Sequence, residues 1–84
     1  MSKKEKFLAK LISGKSDRSI RFLELRSFLL AIGFDERIKG GHYVYTHVNL
    51  KEILTLQPAG DKAKSYQIRQ VRQALKKLGG NMYV

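Results

Sequence analysis

The spacing of apolar residues divides the chain into six short elements. In three stretches, apolar side chains recur every three or four residues, which is the repeat of an α-helix that buries one face. Three stretches between the second and the third helix have the length and the β-branched or aromatic content of strands. The elements predicted in this way are helices over Lys4–Ser13, about Arg21–Ile32 and Ser65 to about Leu78, and strands over Asp35–Lys39, His42–His47 and Ile53–Gln57.

Glycine and serine residues define the ends of several of these elements. Gly33 is placed to end the second helix, and Phe34 can fold back as the hydrophobic contact of that cap. The Gly40-Gly41 pair supplies the positive φ angles of a two-residue hairpin loop. Ser65 is predicted to be the N-cap of the last helix, which Gly79-Gly80 ends.

The order of the elements, helix–helix–strand–strand–strand–helix, predicts an α+β fold. A three-stranded antiparallel sheet would have helices packed on one face, and its other face would be exposed to solvent or would contact a partner. The predicted apolar helix faces are Phe7, Leu8, Leu11 and Ile12 in the first helix, Phe22, Leu25, Phe28, Leu29 and Ile32 in the second, and Ile68, Val71, Leu75 and Leu78 in the third.

Side chains of the central strand alternate between the two faces of the sheet. His42 and Val44 share one face, and Val44 is expected in the core. His42 would then also point toward the core, so the start of the strand must flare outward if His42 is to act in catalysis. His47 is expected on the opposite face from His42 and is a weak candidate for chemistry. Tyr43 and Tyr45 could stack on bases, although in a half-buried strand such aromatics more often face a core or a partner.

The composition describes one small basic domain. The 84 residues suit a single core, and a hydrophobic content of 43% is too high for a disordered segment. The absence of cysteine excludes disulfide scaffolds and thiolate zinc sites, and no metal site or cofactor motif is predicted. The longest apolar stretches fall far below the roughly 20 residues of a membrane span, and no signal core is visible, so a cytoplasmic protein is expected.

The formal net charge of +10 is unevenly distributed. Residues 62–84 hold six bases and no acid, and such a segment favours a polyanionic ligand, nucleic acid above all. The stripe of bases on the last helix could equally be a solvated face. The residues predicted to bind phosphate are Lys39, Arg37, Lys62, Lys64, Arg69 and Arg72.

The triplet Gly40-Gly41-His42 is the most informative segment of the chain about possible chemistry. A hairpin glycine pair lets the backbone approach a phosphate closely, and a neutral imidazole beside it can accept a proton near physiological pH. RNA supplies its own nucleophile, the 2′-hydroxyl, so one base and a few cations suffice to cleave it without a metal. The alternative is an ordinary turn followed by a surface histidine.

In the order and spacing of these features, the chain resembles the HicA family of toxins from toxin–antitoxin systems. That family has a helix ending in Gly-Phe, a basic strand, a Gly-Ser-His or similar motif, a short third strand ending near Pro, and a final helix. The resemblance covers residues 20–78 of a single predicted domain, 1–84, to which residues 1–16 add a further N-terminal helix. The matching stretches are Leu25–Phe34, Arg37–Tyr45, Leu56–Pro58 and Lys64–Val71.

The resemblance implies a fold like the double-stranded-RNA-binding domain and ribosome-independent cleavage of messenger RNA. It implies that His42 is the essential histidine, with Gly40 and Gly41 as the turn that approaches the phosphate. It also implies a HicB-type antitoxin that covers the histidine and the sheet. Two positions depart from the family pattern: Gly41 stands where many members have Ser, and Ala59 lies where many carry a second His.

Three other interpretations stay open at this point. A non-catalytic RNA-binding module of similar fold explains the charge equally well and predicts salt-sensitive binding that leaves RNA intact. A toxin that has lost its activity and binds only its antitoxin is compatible with the departures at Gly41 and Ala59. A DNA-binding domain would read a groove with the last helix, through Gln67, Gln70, Gln73 and Arg69.

Overall fold

The computed structural model describes residues 3–79, which form three helices and one antiparallel sheet of three strands. The elements follow each other in the predicted order, and the fold is of the α+β class. Met1, Ser2 and the helix-terminating Gly80 of the predictions lie outside the described residues. The bounds are α1 Lys3–Ser13, α2 Phe22–Ala31, β1 Asp35–Lys39, β2 His42–His47, β3 Leu50–Leu56 and α3 Ser65–Leu78.

β3 is longer than its apolar pattern predicts. It begins at Leu50 rather than at Ile53. Leu50 pairs with His47, and the register shifts between Tyr45 and His47, so the first residues of β3 continue the sheet past an irregular step. The sequence pattern misses this start because residues 51 and 52 are charged and interrupt the apolar run.

The start of α3 also differs from the prediction. Ser65 is the first helical residue, and Lys64 occupies the N-cap position. The Lys64 carbonyl accepts hydrogen bonds from the N–H groups of Gln67 at 3.0 Å and Ile68 at 3.1 Å. No side-chain hydrogen bond caps the helix, so the assignment of Ser65 as N-cap is wrong by one position.

The end of α2 is the predicted glycine cap. The Gly33 N–H donates to the Leu30 carbonyl at 3.2 Å and the Phe34 N–H donates to the Leu29 carbonyl at 3.0 Å, which are the two bonds of a Schellman motif. Gly33 has a φ of 100°, a value that side chains strongly disfavour. Because Phe34 is buried, the cap turns the chain directly into β1.

The sheet has the strand order β1-β2-β3, with its helix-facing side buried and its other side open. Tyr45 on β2 and Leu54 and Leu56 on β3 are buried on the helix-facing side. Alternation then puts His42 and Val44 on the open side. The prediction that Val44 belongs to the core is therefore wrong, and His42 is exposed without any outward flare of its strand.

One hydrophobic core joins the three helices to the inner side of the sheet. α1 takes part through Phe7 and Leu11, and the Phe7 ring lies 5.1 Å from the ring of Phe28 on α2. The predicted inner faces of α2 and α3 are all buried, whereas Ile12 of α1 is 47% exposed and its assignment to the core is wrong.

Candidate active site on the open face of the sheet

A two-residue turn joins β1 to β2 and sets the position of His42. Gly40 and Gly41 have φ angles of 52° and 84°, and positive values at both central positions are what a type I′ turn requires. A Cβ built on either glycine would meet nothing within 4 Å, so the pair is needed for its backbone conformation and the turn is open outside. Lys39 and His42 pair across the base of the turn.

His42 has two basic neighbours on the open face. Lys39 is directly opposite on β1, where facing side chains have Cβ atoms about 5 Å apart. Arg37 is a diagonal neighbour, because it pairs with Val44. The structure thus brings the predicted base, the glycine turn and two predicted phosphate-binding cations together on one exposed surface.

Thr55 of β3 is the neighbour of His42 that sequence reasoning missed. It pairs with Val44, so it lies diagonally across from His42 on the side opposite β1. Its hydroxyl can donate to or accept from a phosphate or a sugar. The signal that could have found it is the alternation Leu54-Thr55-Leu56, in which the polar residue must face away from the core.

The loop between β3 and α3 brings Lys62 and Lys64 to the same end of the sheet. In the antiparallel ladder β3 ends beside the start of β2, so the loop leaves the sheet near the Gly40-Gly41 turn. Ala59 and Lys62 exchange backbone hydrogen bonds of 2.8 and 3.2 Å, which close the loop. Lys62 is exposed, Lys64 is half-buried and Ala59 is exposed.

Arg69 lines a different groove. It is exposed on α3 and, together with Ser65 and residues 14–19 of the connection between α1 and α2, surrounds a volume of about 350 Å³. Lys15 and Arg18 belong to the same lining, so the groove is basic. His42 does not contribute to it.

Arg72 is engaged inside the protein. Its Nε donates to the Leu11 carbonyl at 2.7 Å, and its guanidinium forms an ion pair with Asp17. The side chain is 16% exposed and its guanidinium packs beside Gly14. Arg72 therefore ties α3 to the end of α1 and to the following loop, and we leave it out of the proposed phosphate-binding surface.

His47 lies on the opposite face from His42, as predicted, and is buried. Its Nδ1 accepts a hydrogen bond from the Asn49 N–H at 3.0 Å, so the ring hydrogen is on Nε2, which donates to the Ile32 carbonyl at 3.0 Å. The ring packs edge-on against Phe34 at 4.9 Å. Nε2 thus holds the end of β2 against the C-terminus of α2, while Nδ1 fixes the turn that follows β2.

A partly buried ion pair fixes β1, the strand that carries Arg37 and Lys39. Arg26 of α2 donates to both carboxylate oxygens of Glu36, at 2.7 and 2.8 Å, and the Tyr45 hydroxyl donates to the same carboxylate at 2.6 Å. The hydrogen bonds from Arg26, followed by that from Tyr45, hold the pKa of Glu36 below its ordinary value, although burial opposes the shift. Burial, followed by the bond to Glu36, raises the pKa of Tyr45.

Neither tyrosine of β2 is presented to solvent for base stacking. Tyr45 is fully buried, and Tyr43 packs edge-on against Phe22 at 4.8 Å with the Arg26 guanidinium 5.5 Å from its ring centre. Of the two expected fates for these aromatics, facing a core or facing a partner, the structure shows the first: Tyr45 belongs to the core and Tyr43 packs against it.

The geometry of α3 bears on the DNA-binding alternative. Gln67 is buried, and with its amide turned so that both polar atoms find partners, it donates to the Gln57 carbonyl at 2.9 Å and accepts from the Gln57 N–H at 3.0 Å. It fastens the end of β3 to α3 and is not available to read a groove. Gln70, Gln73 and Arg69 are exposed.

Across residues 3–79, no helix is long and apolar enough to cross a membrane. The same residues contain no cluster of three or more His, Asp and Glu side chains that could hold a metal ion. Comparison of the chain with protein-family models, with curated proteins and with solved structures found no match.

Proposed function

We propose that this protein is a metal-independent endoribonuclease of the HicA toxin type, with a fold like the double-stranded-RNA-binding domain and with His42 as its catalytic base. The observation that carries the proposal is the surface around His42. An exposed imidazole follows an open glycine turn and lies directly across the ladder from Lys39, with Arg37 beside it. This arrangement supplies a base and positive charge at one phosphate.

The reaction that this surface supports is transesterification within RNA. His42 takes the proton of a 2′-hydroxyl while the 2′-oxygen forms a bond to the adjacent phosphorus. The bond from phosphorus to the 5′-oxygen breaks, and that oxygen takes a proton from water. The products are a 2′,3′-cyclic phosphate and a 5′-hydroxyl end. Lys39 and Arg37 stabilise the charge on the phosphate as it becomes five-coordinate.

The rest of the RNA backbone is proposed to run from the sheet toward the loop before α3. Lys62 and Lys64 lie at the same end of the sheet as the glycine turn and add positive charge there. Arg69 lines the neighbouring basic groove and would contact phosphates further along the chain. Such contacts position the RNA without reading its sequence.

A HicB-type antitoxin is the protein partner proposed for the open face. Supporting this, Ile53 of β3 is 62% exposed and Val48 in the preceding turn is 89% exposed. Both residues lie toward the end of the sheet away from the glycine turn, so a partner that covers them together with His42 would extend along the whole open face.

The test is cleavage of a long single-stranded RNA in excess chelator by the parent chain and by His42→Ala. Loss of about a hundredfold or more in rate is expected for His42→Ala, as removal of a general base typically causes. Thr46→Ala, which alters an exposed residue of the same strand at its other end, is the matched control and should cleave like the parent. A 2′-deoxy substitution at a cleaved position should block cleavage there. Full activity of His42→Ala would eliminate the catalytic assignment.

A non-catalytic RNA-binding module of similar fold is the second candidate. One observation favours it: the His42 side chain forms no hydrogen bond with another residue within 3–79, so no carboxylate there orients the imidazole. This candidate predicts that both the parent chain and His42→Ala shift the RNA in a gel and leave it intact. Under the nuclease proposal, the bound nucleotide orients the ring instead.

A further inference from the structure

A groove runs between α1 and α2, on the side of the sheet opposite His42. Its volume is about 680 Å³. The floor is formed by Phe7 and Phe28, whose rings meet at 5.1 Å, and Leu23 and Ala31 extend the apolar lining along α2. The remaining lining residues are Lys3, Lys4, Lys6, Lys10, Glu24 and Ser27.

α2 carries more apolar side chains than the core uses. Its buried face consists of Phe22, Leu25, Phe28 and Leu29. Leu23 is 69% exposed, and Leu30, two turns further along the same side, is 45% exposed. Leu23 buries less than a third of its surface within the monomer, and beside an apolar floor the two leucines can anchor a contact surface.

The charges around this groove have one dominant sign. Four lysines of α1 line it, against the single acid Glu24 of α2. Lysine stems can cover apolar surface while their ammonium groups remain in water at the rim. A ligand suited to the groove is therefore apolar where it meets Phe7, Phe28 and Leu23 and negative where it passes the lysines.

We propose that this groove docks an amphipathic, acidic helix of a partner polypeptide. The apolar floor and the exposed leucines match side chains spaced at i, i+3, i+4 and i+7 on such a helix, and the lysine rim matches flanking Glu or Asp. A second copy of this chain is a poor occupant because it also carries a net charge of +10. The proposal does not depend on RNA cleavage, since the groove and His42 lie on different sides of the sheet.

The test uses three labelled 18-residue helical peptides and the full chain. The peptides share one stripe of leucine, isoleucine and phenylalanine, and their outer faces carry Glu, Gln or Lys. Fluorescence anisotropy should give binding of the Glu peptide roughly tenfold tighter than the Gln peptide, with the Lys peptide weakest. The advantage of the Glu peptide should shrink as salt screens the lysine rim.

Two variants of the groove and one matched control locate the binding. Leu23→Asp should weaken the Glu peptide at least about tenfold, and Lys6→Glu should remove most of the preference for Glu over Gln. Tyr66→Asp, which changes an exposed aromatic residue at the start of α3, should leave the binding unchanged. All three positions are exposed, and thermal melts of the variants check that they fold.

Several results would overturn the proposal. These are absence of binding by any peptide, equal binding of all three, or binding that Leu23→Asp leaves intact. Two further measurements identify other occupants. If vesicles with anionic headgroups bind through Leu23 and the Glu peptide does not, the occupant is a membrane surface. If sedimentation shows self-association that Leu23→Asp abolishes, the occupant is a second copy.

Discussion

The two histidines of β2 are five residues apart and lie in opposite environments. His47 is 5% exposed, with both ring nitrogens bonded to backbone groups and an aromatic ring against it. His42 is exposed, and its imidazole forms no hydrogen bond with any other residue of 3–79. The comparison shows that face and surroundings decide whether an imidazole is part of the structure or is available for chemistry.

The same contrast extends to the charged residues of the two faces. On the helix side, Glu36 is neutralised by Arg26 and bonded by Tyr45. On the open side, Arg37 and Lys39 of the same strand are exposed. Charges that stabilise the fold are thus paired beneath the sheet, whereas charges proposed to bind RNA are presented on its other face.

Replacing His47 should give the largest change in stability. His47→Leu removes the donor to the Ile32 carbonyl and the acceptor for the Asn49 N–H, so both hydrogen bonds of the buried ring are lost. We expect the free energy of unfolding to fall by about 2–4 kcal/mol, measured by urea denaturation. His42→Leu is the matched control and should change it by less than about 0.5 kcal/mol. Similar losses of unfolding free energy in the two variants would contradict the conclusion that only His47 contributes to the stability of the fold.

The glycine turn allows stability and activity to be separated. Gly40 and Gly60 have φ angles of 52° and 65°, and a Cβ on either would meet nothing within 4 Å. Replacement by Ala at either site should therefore cost about 1–2 kcal/mol of unfolding free energy, through backbone conformation alone. Gly40→Ala should also slow RNA cleavage by the folded protein, whereas Gly60→Ala should not. Equal cleavage by the two variants would show that the turn has no role at the phosphate.

Glu36 should make stability depend on pH. Its pKa in the folded chain is below the ordinary value of 4.5, so its stabilising effect is complete above about pH 4.5 and is lost as the pH falls through the folded pKa. Glu36→Gln should lower the unfolding free energy by about 1 kcal/mol at pH 7, an estimate discounted for the partly exposed Arg26. The difference between parent and variant should shrink on acidification.

A matched control for this prediction is Glu52→Gln. Glu52 pairs with Lys77 at 2.8 Å, but both side chains are more than half exposed. Denaturation curves from pH 7 to pH 3 should show a smaller effect for Glu52→Gln than for Glu36→Gln. An equal or larger effect for Glu52→Gln would show that burial beneath the sheet does not determine how much an ion pair stabilises the fold.

Much of the fold follows from the sequence because the helices and the turns have strong local signals. The faces of α2 and α3, the cap at Gly33 and the glycine hairpin are all local patterns of this kind. The sequence pattern assigns Val44 to the wrong face because, of a valine and a tyrosine in adjacent strand positions, either can be the buried residue. The local pattern does not indicate which of the two faces the core.

The candidate site was less predictable because its members are far apart in sequence. Local signals found His42 and its turn, but Thr55 approaches it only through the register of β2 and β3. Arg72 belongs to a basic stripe in sequence, yet Asp17, which binds it, lies 55 residues away. Charge patterns identify bases, and only long-range contacts decide which of them are already paired.

The smallest predicted effect concerns how Lys39 contributes to RNA binding. If Lys39 contacts a phosphate across from His42, then Lys39→Ala should reduce the slope of log K against log salt by about 0.7, the release of roughly one counterion from single-stranded RNA. Lys51→Ala removes an exposed lysine of β3 outside the candidate site and should leave the slope unchanged. Using the inactive His42→Ala background keeps the RNA intact during the titration. Equal slopes for the two lysine variants would mean that the open face attracts RNA only through overall charge, and the contrast between its two ends would no longer support a site at His42.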